Sequence, residues 1–168
     1  MRVFLVSIAT LAIAAVMGYS SPARAAGEML TGPMAVMNYL AGGPWTCSAN
    51  LPAMGGQPAH TEQMTLTFDV LPGNIMHDHV ASADYAGDDY FGYMAQNSLY
   101  WTTSADSMGS HGSSTSTDAK TFTGTTSMGG QSMSMTSTYT KVSPTSITSH
   151  EVVTAGGKSM SVDSSCNR

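Results

Sequence analysis

The two cysteines of this chain lie near the two ends of a long series of strand-like segments. Cys47 follows Gly43 and Trp45 in the first segment that has the pattern of a β-strand, and Cys166 lies in the last one. A bond between them would join the first strand of a sheet to its last strand and so hold the sheet closed on itself. The sequence therefore predicts a Cys47–Cys166 disulfide, with Gly43 and Trp45 as structural residues at the start of the sheet.

The first 25 residues have the three parts of a secretory signal peptide. Arg2 gives a positive start, residues 3–16 are almost entirely apolar, and Ala23-Arg24-Ala25 fits the rule for a cleavage site. The apolar run of about 14 residues is shorter than the ~20 that a membrane-spanning helix needs. We therefore expect an exported protein, periplasmic or extracellular, with a single domain over residues 26–168. We expect no stable membrane insertion after cleavage, and an oxidising compartment favours the disulfide.

After the first cysteine the chain consists of short segments with alternating apolar and polar residues, which is typical of antiparallel strands. The clearest segment is 60–71, in which Leu66 and Phe68 alternate with polar residues. Turn sequences such as Pro72-Gly73-Asn74 separate about ten such segments, with no crossover helix between them. We predict an all-β, up-and-down antiparallel barrel of about ten strands, preceded by a short helix within residues 29–40.

Residues 102–140 are unusually rich in serine and threonine, a composition that is also found in disordered linkers. Threonine nevertheless favours strands. Phe122, Met133, Met135 and Tyr139 also recur within this segment at strand spacing. We therefore expect this segment to form ordered strands of the barrel.

Several features follow one another in a fixed order over residues 30–168. A short helix leads into Gly43-x-Trp45-x-Cys47, the sequence TYTKVSPT comes late at residues 138–145, and Cys166-x-Arg168 ends the chain. In this order the chain resembles the calycin superfamily of lipocalins, fatty-acid-binding proteins and nitrobindin-like barrels. It resembles more closely a group of small exported bacterial lipocalin-like proteins that have no established reaction. The resemblance implies a pocket for something small and apolar. In such a barrel, Trp45 would fill the closed end against the helix.

The main functional hypothesis is a binding module that encloses a small hydrophobic or amphiphilic ligand. It requires one apolar face of the strands to point inward, and a shift of one residue in register would turn that face to solvent. We predict no enzymatic activity, because the chain contains no nucleophile elbow, no His-Glu-x-x-His motif and no glycine-rich phosphate loop. The candidate pocket residues are Leu66, Phe68, Met94, Trp101, Met133 and Met135.

A second hypothesis, from another class, is a metal or haem site built on His77 and His79. Residues two apart share a face of a strand, so the two imidazoles point the same way. An even number of residues in the preceding hairpin loop places them inside the barrel, and an odd number places them in solvent. Inside, with nearby methionine thioethers, they could bind copper or haem iron. The primary hypothesis predicts no cofactor. A third reading is a structural envelope protein whose barrel is filled by its own side chains.

The charge of the chain excludes one class of partner. Without the leader, four cationic side chains, Lys120, Lys141, Lys158 and Arg168, stand against eleven acidic residues. A chain with so few cations cannot neutralise a phosphate backbone, so we expect no nucleic-acid partner. The expected partner is a small hydrophobic molecule.

Overall fold

A computed structural model describes residues 29–53 and 58–168 of the chain. These residues form ten β-strands and one short 3₁₀ helix, Gly32–Met37, so the predicted all-β class is confirmed. The predicted signal peptide over residues 1–25 lies outside the described residues. Among the described residues, no helix has the length and apolar character that crossing a membrane would require.

The ten strands form one closed antiparallel barrel. Each strand pairs with the next along the chain, and the last pairs with the first, which is the predicted up-and-down order. The strands are β1 (Trp45–Leu51), β2 (His60–Leu71), β3 (Ile75–Ala81), β4 (Ala86–Met94), β5 (Leu99–Asp106), β6 (His111–Ser116), β7 (Thr121–Met128), β8 (Gln131–Ser143), β9 (Ser146–Ala155) and β10 (Lys158–Asn167).

The predicted disulfide lies on the seam where the barrel closes. Cys47 on β1 and Cys166 on β10 are paired positions of the ladder, with Cα atoms 4.0 Å apart, and their sulfurs are bonded. Both residues are buried. Because the bond joins residues 119 positions apart, the chain-entropy description assigns it roughly 4–5 kcal/mol against the unfolded chain.

The short helix covers one end of the barrel, and Trp45 lies directly beneath it. Met34 and Met37 of the helix are buried, and the fully buried indole of Trp45 donates a hydrogen bond from Nε1 to the oxygen of Leu40 at 2.9 Å. Gly43 has a φ of 110°, a conformation that side chains disfavour, which explains a glycine between helix and strand. The burial of Trp45 and the backbone conformation of Gly43 are consistent with the structural roles predicted for them, which stay predictions.

Arg168 makes contacts that stabilise the same, helix-covered end of the barrel. The Arg168 guanidinium lies 4.5 Å from the centroid of the Trp45 ring, a cation–π arrangement. Its Nη1 donates to the carbonyl oxygens of Ala41 at 2.7 Å and Gly42 at 3.1 Å, and its Nη2 donates to Pro144 at 3.3 Å. Arg168 therefore joins the end of the barrel to the segment that enters it.

The turn between β2 and β3 decides which side chains face the interior. Leu71 pairs with Ile75, so the hairpin loop contains three residues. Gly73 and Asn74 in this loop have φ values of 86° and 63°, and glycine and asparagine are the residues that best tolerate this left-handed region. With this odd loop length, Phe68 pairs with Asp78 rather than with a histidine.

The segment rich in serine and threonine is ordered as strand throughout most of its length. It forms most of β5 and β8 and all of β6 and β7, as expected from its strand-spaced apolar residues. Phe122 and Met133 are buried on the inner face. The inner face of this wall also carries Met135 and Tyr139 among several small residues, and the outer face carries many of the exposed hydroxyl side chains.

Candidate ligand-binding site

The half of the interior beneath the helix, which we call the closed half, is filled by large side chains. Phe91, Phe122 and Tyr139 meet edge to face, with ring centroids 5.7, 6.2 and 6.1 Å apart. Trp45 and Phe68 belong to the same buried cluster as these rings. Such edge-to-face pairs add to the stabilisation from burial itself. This half forms the hydrophobic core of the barrel.

The other half of the interior, which we call the open half, lies toward the turns that the helix does not cover. Strand alternation and the ladder registers place its apolar side chains on the inner face, yet most of them are only partly buried. This group consists of Met64, Leu66, Val80, Met135, Val153, Met160 and Val162, of which Met64 and Leu66 also pack against the buried cluster of the closed half. The more deeply buried Met133 lies on the same inner face.

One wall of the interior is built from small polar residues. Thr102 on β5 pairs with Ser114 on β6, which pairs with Gly124 on β7, and Gly124 pairs with Met135 on β8. A Cβ atom at Gly124 would lie only 2.0 Å from the Ser113 carbonyl oxygen, so the close approach of the strands requires a glycine there. Small side chains on this wall occupy less of the interior than the aromatic rings of the closed half.

Three carboxyl groups, which we call the inner carboxylates, face the interior of the open half, next to the rings of the closed half. Asp78 on β3 and Asp89 on β4 are paired positions, and both share the inner face with the buried Met76 and Phe91. Glu151 reaches the interior from β9, where the Ser137 hydroxyl donates to its Oε2 at 3.2 Å. Asp78 is only 6% exposed.

Burial raises the pKa values of all three inner carboxylates, and repulsion by nearby carboxylates adds to this for Asp78 and Asp89. Burial raises the pKa of Asp78 well above its usual range, and the negative charges of Asp89 and Asp88 add to this effect. The pKa of Asp89 is raised to about 7, mainly by burial and then by the negative charges of Glu151, Asp88 and Asp106. Burial also raises the pKa of Glu151, although the hydrogen bond from Ser137 opposes it. The interior therefore disfavours the accumulation of negative charge.

Two tyrosines lie close enough to the inner carboxylates for this negative charge to affect their pKa values. Burial, and then the negative charges of Asp89, Asp78 and Glu151, raise the pKa of Tyr139 well above its usual range. The pKa of Tyr85, in the turn between β3 and β4, is raised by burial and by carboxylates that include Asp106 and Asp89. A Cβ at the inward-facing Gly87 would lie 2.8 Å from the Tyr85 hydroxyl, so this ring folds over the glycine. Both phenols stay protonated at neutral pH.

Some polar atoms of this region are buried without a hydrogen-bond partner among the described residues. They include Oδ1 of Asp78, Oγ1 of Thr102 and Oγ of Ser114. A buried polar group without a partner costs about 1–3 kcal/mol. The open half of the barrel therefore contains polar groups that the fold itself does not satisfy.

The structure places His77 and His79 on the outer wall, because the hairpin loop has three residues. The interior placement, one of the two alternatives considered from the sequence, is wrong. His77 Nε2 and His79 Nδ1 both contact Oδ1 of Asp88, at 2.8 and 2.9 Å, and His77 stacks on Tyr90 with centroids 4.8 Å apart. The hydrogen bond from His79 is the main cause that lowers the pKa of Asp88. Within residues 29–53 and 58–168, no group of three or more His, Cys, Asp or Glu residues is arranged to hold a metal ion.

The predicted pocket residues divide into three groups. Leu66, Met133 and Met135 lie on the inner face, and their contact with a ligand stays a prediction. Phe68 also faces inward but is part of the closed half. The placement of Met94 and Trp101 in the pocket is wrong, since the inward orientation of Phe91 forces Gly92 and Met94 outward.

The Trp101 ring confirms this outer placement. It packs over Gly92, where a Cβ would lie 2.5 Å from the indole. The inner carboxylates were not among the residues predicted from the sequence. The alternation of Asp78 with Met76 and Val80 would have indicated that Asp78 faces inward.

Comparison with known proteins assigns no family and no function to this barrel. No protein-family model matches the chain, and no curated protein matches it. The inner face of the barrel therefore carries the functional argument.

Proposed function

We propose that this protein is a non-enzymatic binding barrel that holds a small amphiphilic ligand in the open half of its interior. The observation that carries the proposal is the difference in burial along the inner face. Trp45 and Phe122 are fully buried at the helix end, whereas Met64 and Met135 remain partly exposed although they face inward. An apolar ligand in the open half would bury the surface that the protein leaves accessible.

The side chains of the open half suit a ligand of loosely defined shape. Met64, Met135 and Met160 come from three different strands and face the same interior. Methionine is flexible and polarisable, so several such residues can adapt to different apolar groups. A barrel of ten strands also has a wider interior than one of eight, which is the size that side chains alone fill.

Two further aspects of the proposal follow from the sequence. We propose that the protein is exported, and the Cys47–Cys166 disulfide supports this, because such bonds persist in oxidising compartments. We also propose a place among calycin-like barrels, which the closed ten-stranded topology supports. The same comparison with calycins suggested a small apolar ligand.

The test is a titration of the disulfide-bonded protein with N-phenyl-1-naphthylamine, a neutral probe that fluoresces in apolar surroundings. We expect saturable binding. Met135→Trp should weaken it at least tenfold, because the indole would occupy the space opposite Gly124. Met94→Trp is the matched control, since it adds the same ring on the outer wall, and it should leave binding unchanged.

Two results would contradict the proposal. One is absence of probe binding by protein whose far-UV circular dichroism shows the folded barrel. The other is stoichiometric binding of copper or haem that is lost in His77→Ala, which would favour the metal-binding alternative instead.

A further inference from the structure

We infer that the polar end of the ligand is an organic cation, an ammonium or amine group held between Asp78, Asp89 and Glu151 on the inner face of the barrel. This inference rests on the proposed function, because it assigns the charge of the ligand that the open half would take. It concerns a site that the sequence analysis did not detect.

The charge of the interior is one-sided. The inner carboxylates come from β3, β4 and β9, and Asp106 on β5 shares their inner face. The cationic side chains of the described residues lie elsewhere: Lys120 and Lys158 are exposed, Lys141 lies over the Tyr39 ring at 5.4 Å, and Arg168 lies over Trp45. Among the described residues, no lysine or arginine neutralises the inner carboxylates. A buried carboxylate is ordinarily paired with a cation or a hydrogen-bond donor.

The unpartnered polar atoms point to a ligand independently of the charge. Asp78 is 6% exposed, Ser114 4% and Thr102 9%, and each has a side-chain oxygen without a hydrogen-bond partner among the described residues. All three face the interior, and Thr102 and Ser114 are paired positions on β5 and β6. An ammonium group supplies donors that these oxygens can accept.

Aromatic rings beside the carboxylates also suit an organic cation. Tyr139 faces the interior near Asp78 and Asp89, and the ring of Tyr85 folds over Gly87 on the inner wall. The face of a tyrosine ring attracts ammonium groups. A bare metal ion would instead need several oxygen or nitrogen ligands at one point. No group of three such residues meets in the described part of the chain.

Apolar and acidic groups lie next to each other in the open half. The partly exposed Met64 and Leu66 on β2 share the inner face with Asp78 on the adjoining strand. A cationic amphiphile could therefore place its charge at the carboxylates and its chain along the methionines. An anionic amphiphile such as a fatty acid would bring a like charge to the same place, which is unfavourable.

The experiment compares three ligands with the same twelve-carbon chain: dodecylammonium, dodecanol and dodecanoate. Each is titrated below its micellar concentration against the probe-loaded, full-length disulfide-bonded protein near neutral pH, and by calorimetry without the probe. We expect dodecylammonium to bind at least tenfold more tightly than dodecanol, and dodecanoate to bind most weakly.

The variants Asp89→Asn and Glu151→Gln should each reduce the preference for dodecylammonium over dodecanol about tenfold, with dodecanol binding unchanged. Asp88→Asn is the matched control, because Asp88 is the neighbouring residue on the same strand but faces outward. It removes the same formal charge and should leave the preference unchanged.

The outcomes separate this inference from the proposed function. Binding of the probe and dodecanol without preference for dodecylammonium would overturn the cation inference and leave the apolar site intact. Calorimetric binding of dodecylammonium alone would support the cation site and contradict the apolar one. Equal loss of preference in Asp88→Asn and Asp89→Asn would attribute the preference to surface charge and overturn the inference, and absence of all binding would overturn both proposals.

Discussion

The two halves of the barrel interior are built from the same strands but differ in what they contain. In the closed half, Trp45, Phe91 and Phe122 are buried and pack edge to face or against the helix. In the open half, Asp78 and Asp89 face each other on neighbouring strands beside small hydroxyl side chains and partly exposed methionines. The first arrangement stabilises the fold, and the second costs stability. Groups that lower the stability of a fold are expected at functional sites.

The largest effect should come from the closed half. Phe122→Ala removes a fully buried ring that contacts Phe91 and Tyr139, so it should lower the free energy of unfolding by about 3–5 kcal/mol. In the open half, Met135→Ala should cost less than about 2 kcal/mol, because that side chain is only partly buried. Urea denaturation of both variants tests the difference, and equal losses would refute the division into two halves.

The pH dependence of stability should be set by the inner carboxylates. A carboxyl group with a raised pKa in the folded state binds its proton more tightly when folded, so stability is greatest at low pH and falls as pH rises. For Asp89 the fall runs from the unfolded value near 4 to the folded value of about 7. Asp78 and Glu151 act in the same direction. Asp88 and Asp118 have lowered pKa values, so their contribution is lost only below about pH 4.

We therefore expect the free energy of unfolding to be about 2–4 kcal/mol higher near pH 4.5 than near pH 7.5. Denaturation at a series of pH values measures this difference. Asp89→Asn should flatten the profile much more than Asp88→Asn, because the charge of Asp88 adds only a smaller effect to that of burial. A profile that stays equally steep in Asp89→Asn would show that this residue does not control it.

A change smaller than the pH effect, and a gain in stability, should follow when the buried carboxyl group of Asp78 is removed. Asp78→Leu replaces a buried carboxyl group whose Oδ1 has no partner in the described structure with an apolar side chain of similar size. We expect a gain of about 1–2 kcal/mol near neutral pH. The same variant should lose the preference for dodecylammonium. A loss of stability instead would indicate that Asp78 supports the fold rather than the site.

The smallest effect should come from the outer wall. His77→Ala removes a partly exposed contact with Asp88 and the stack on Tyr90, so it should cost no more than about 1 kcal/mol. Probe binding should not change, because the imidazole faces away from the interior. If His77→Ala lowered probe affinity as much as Met135→Trp does, the binding site would lie on the outer face of the barrel and not in its interior.

The sequence was sufficient for the architecture. The alternation in residues 60–71 and the positions of Cys47 and Cys166 predicted a closed antiparallel barrel, and the structure has both the closure and the disulfide. These features repeat over many residues, so a local error changes little.

The facing of individual side chains could not be predicted in the same way. It depends on single residues in turns: the left-handed conformation of Asn74 completes a three-residue loop and turns His77 and His79 outward. Asp78 stands between two histidines in the sequence, so its inward position becomes clear only once that register is known. Which of two equal strand faces is inside is a property of the closed sheet.

The account predicts that a ligand enters the open half and leaves the closed half unchanged. Amide chemical shifts of the ¹⁵N-labelled protein, recorded during titration with dodecylammonium, test this most directly. The predicted result is that the largest shifts occur on the strands at Asp78, Asp89 and Met135, with little change at Trp45 and Phe122. Shifts concentrated at His77, His79 and the outer face of β4, with none at the inner carboxylates, would contradict it.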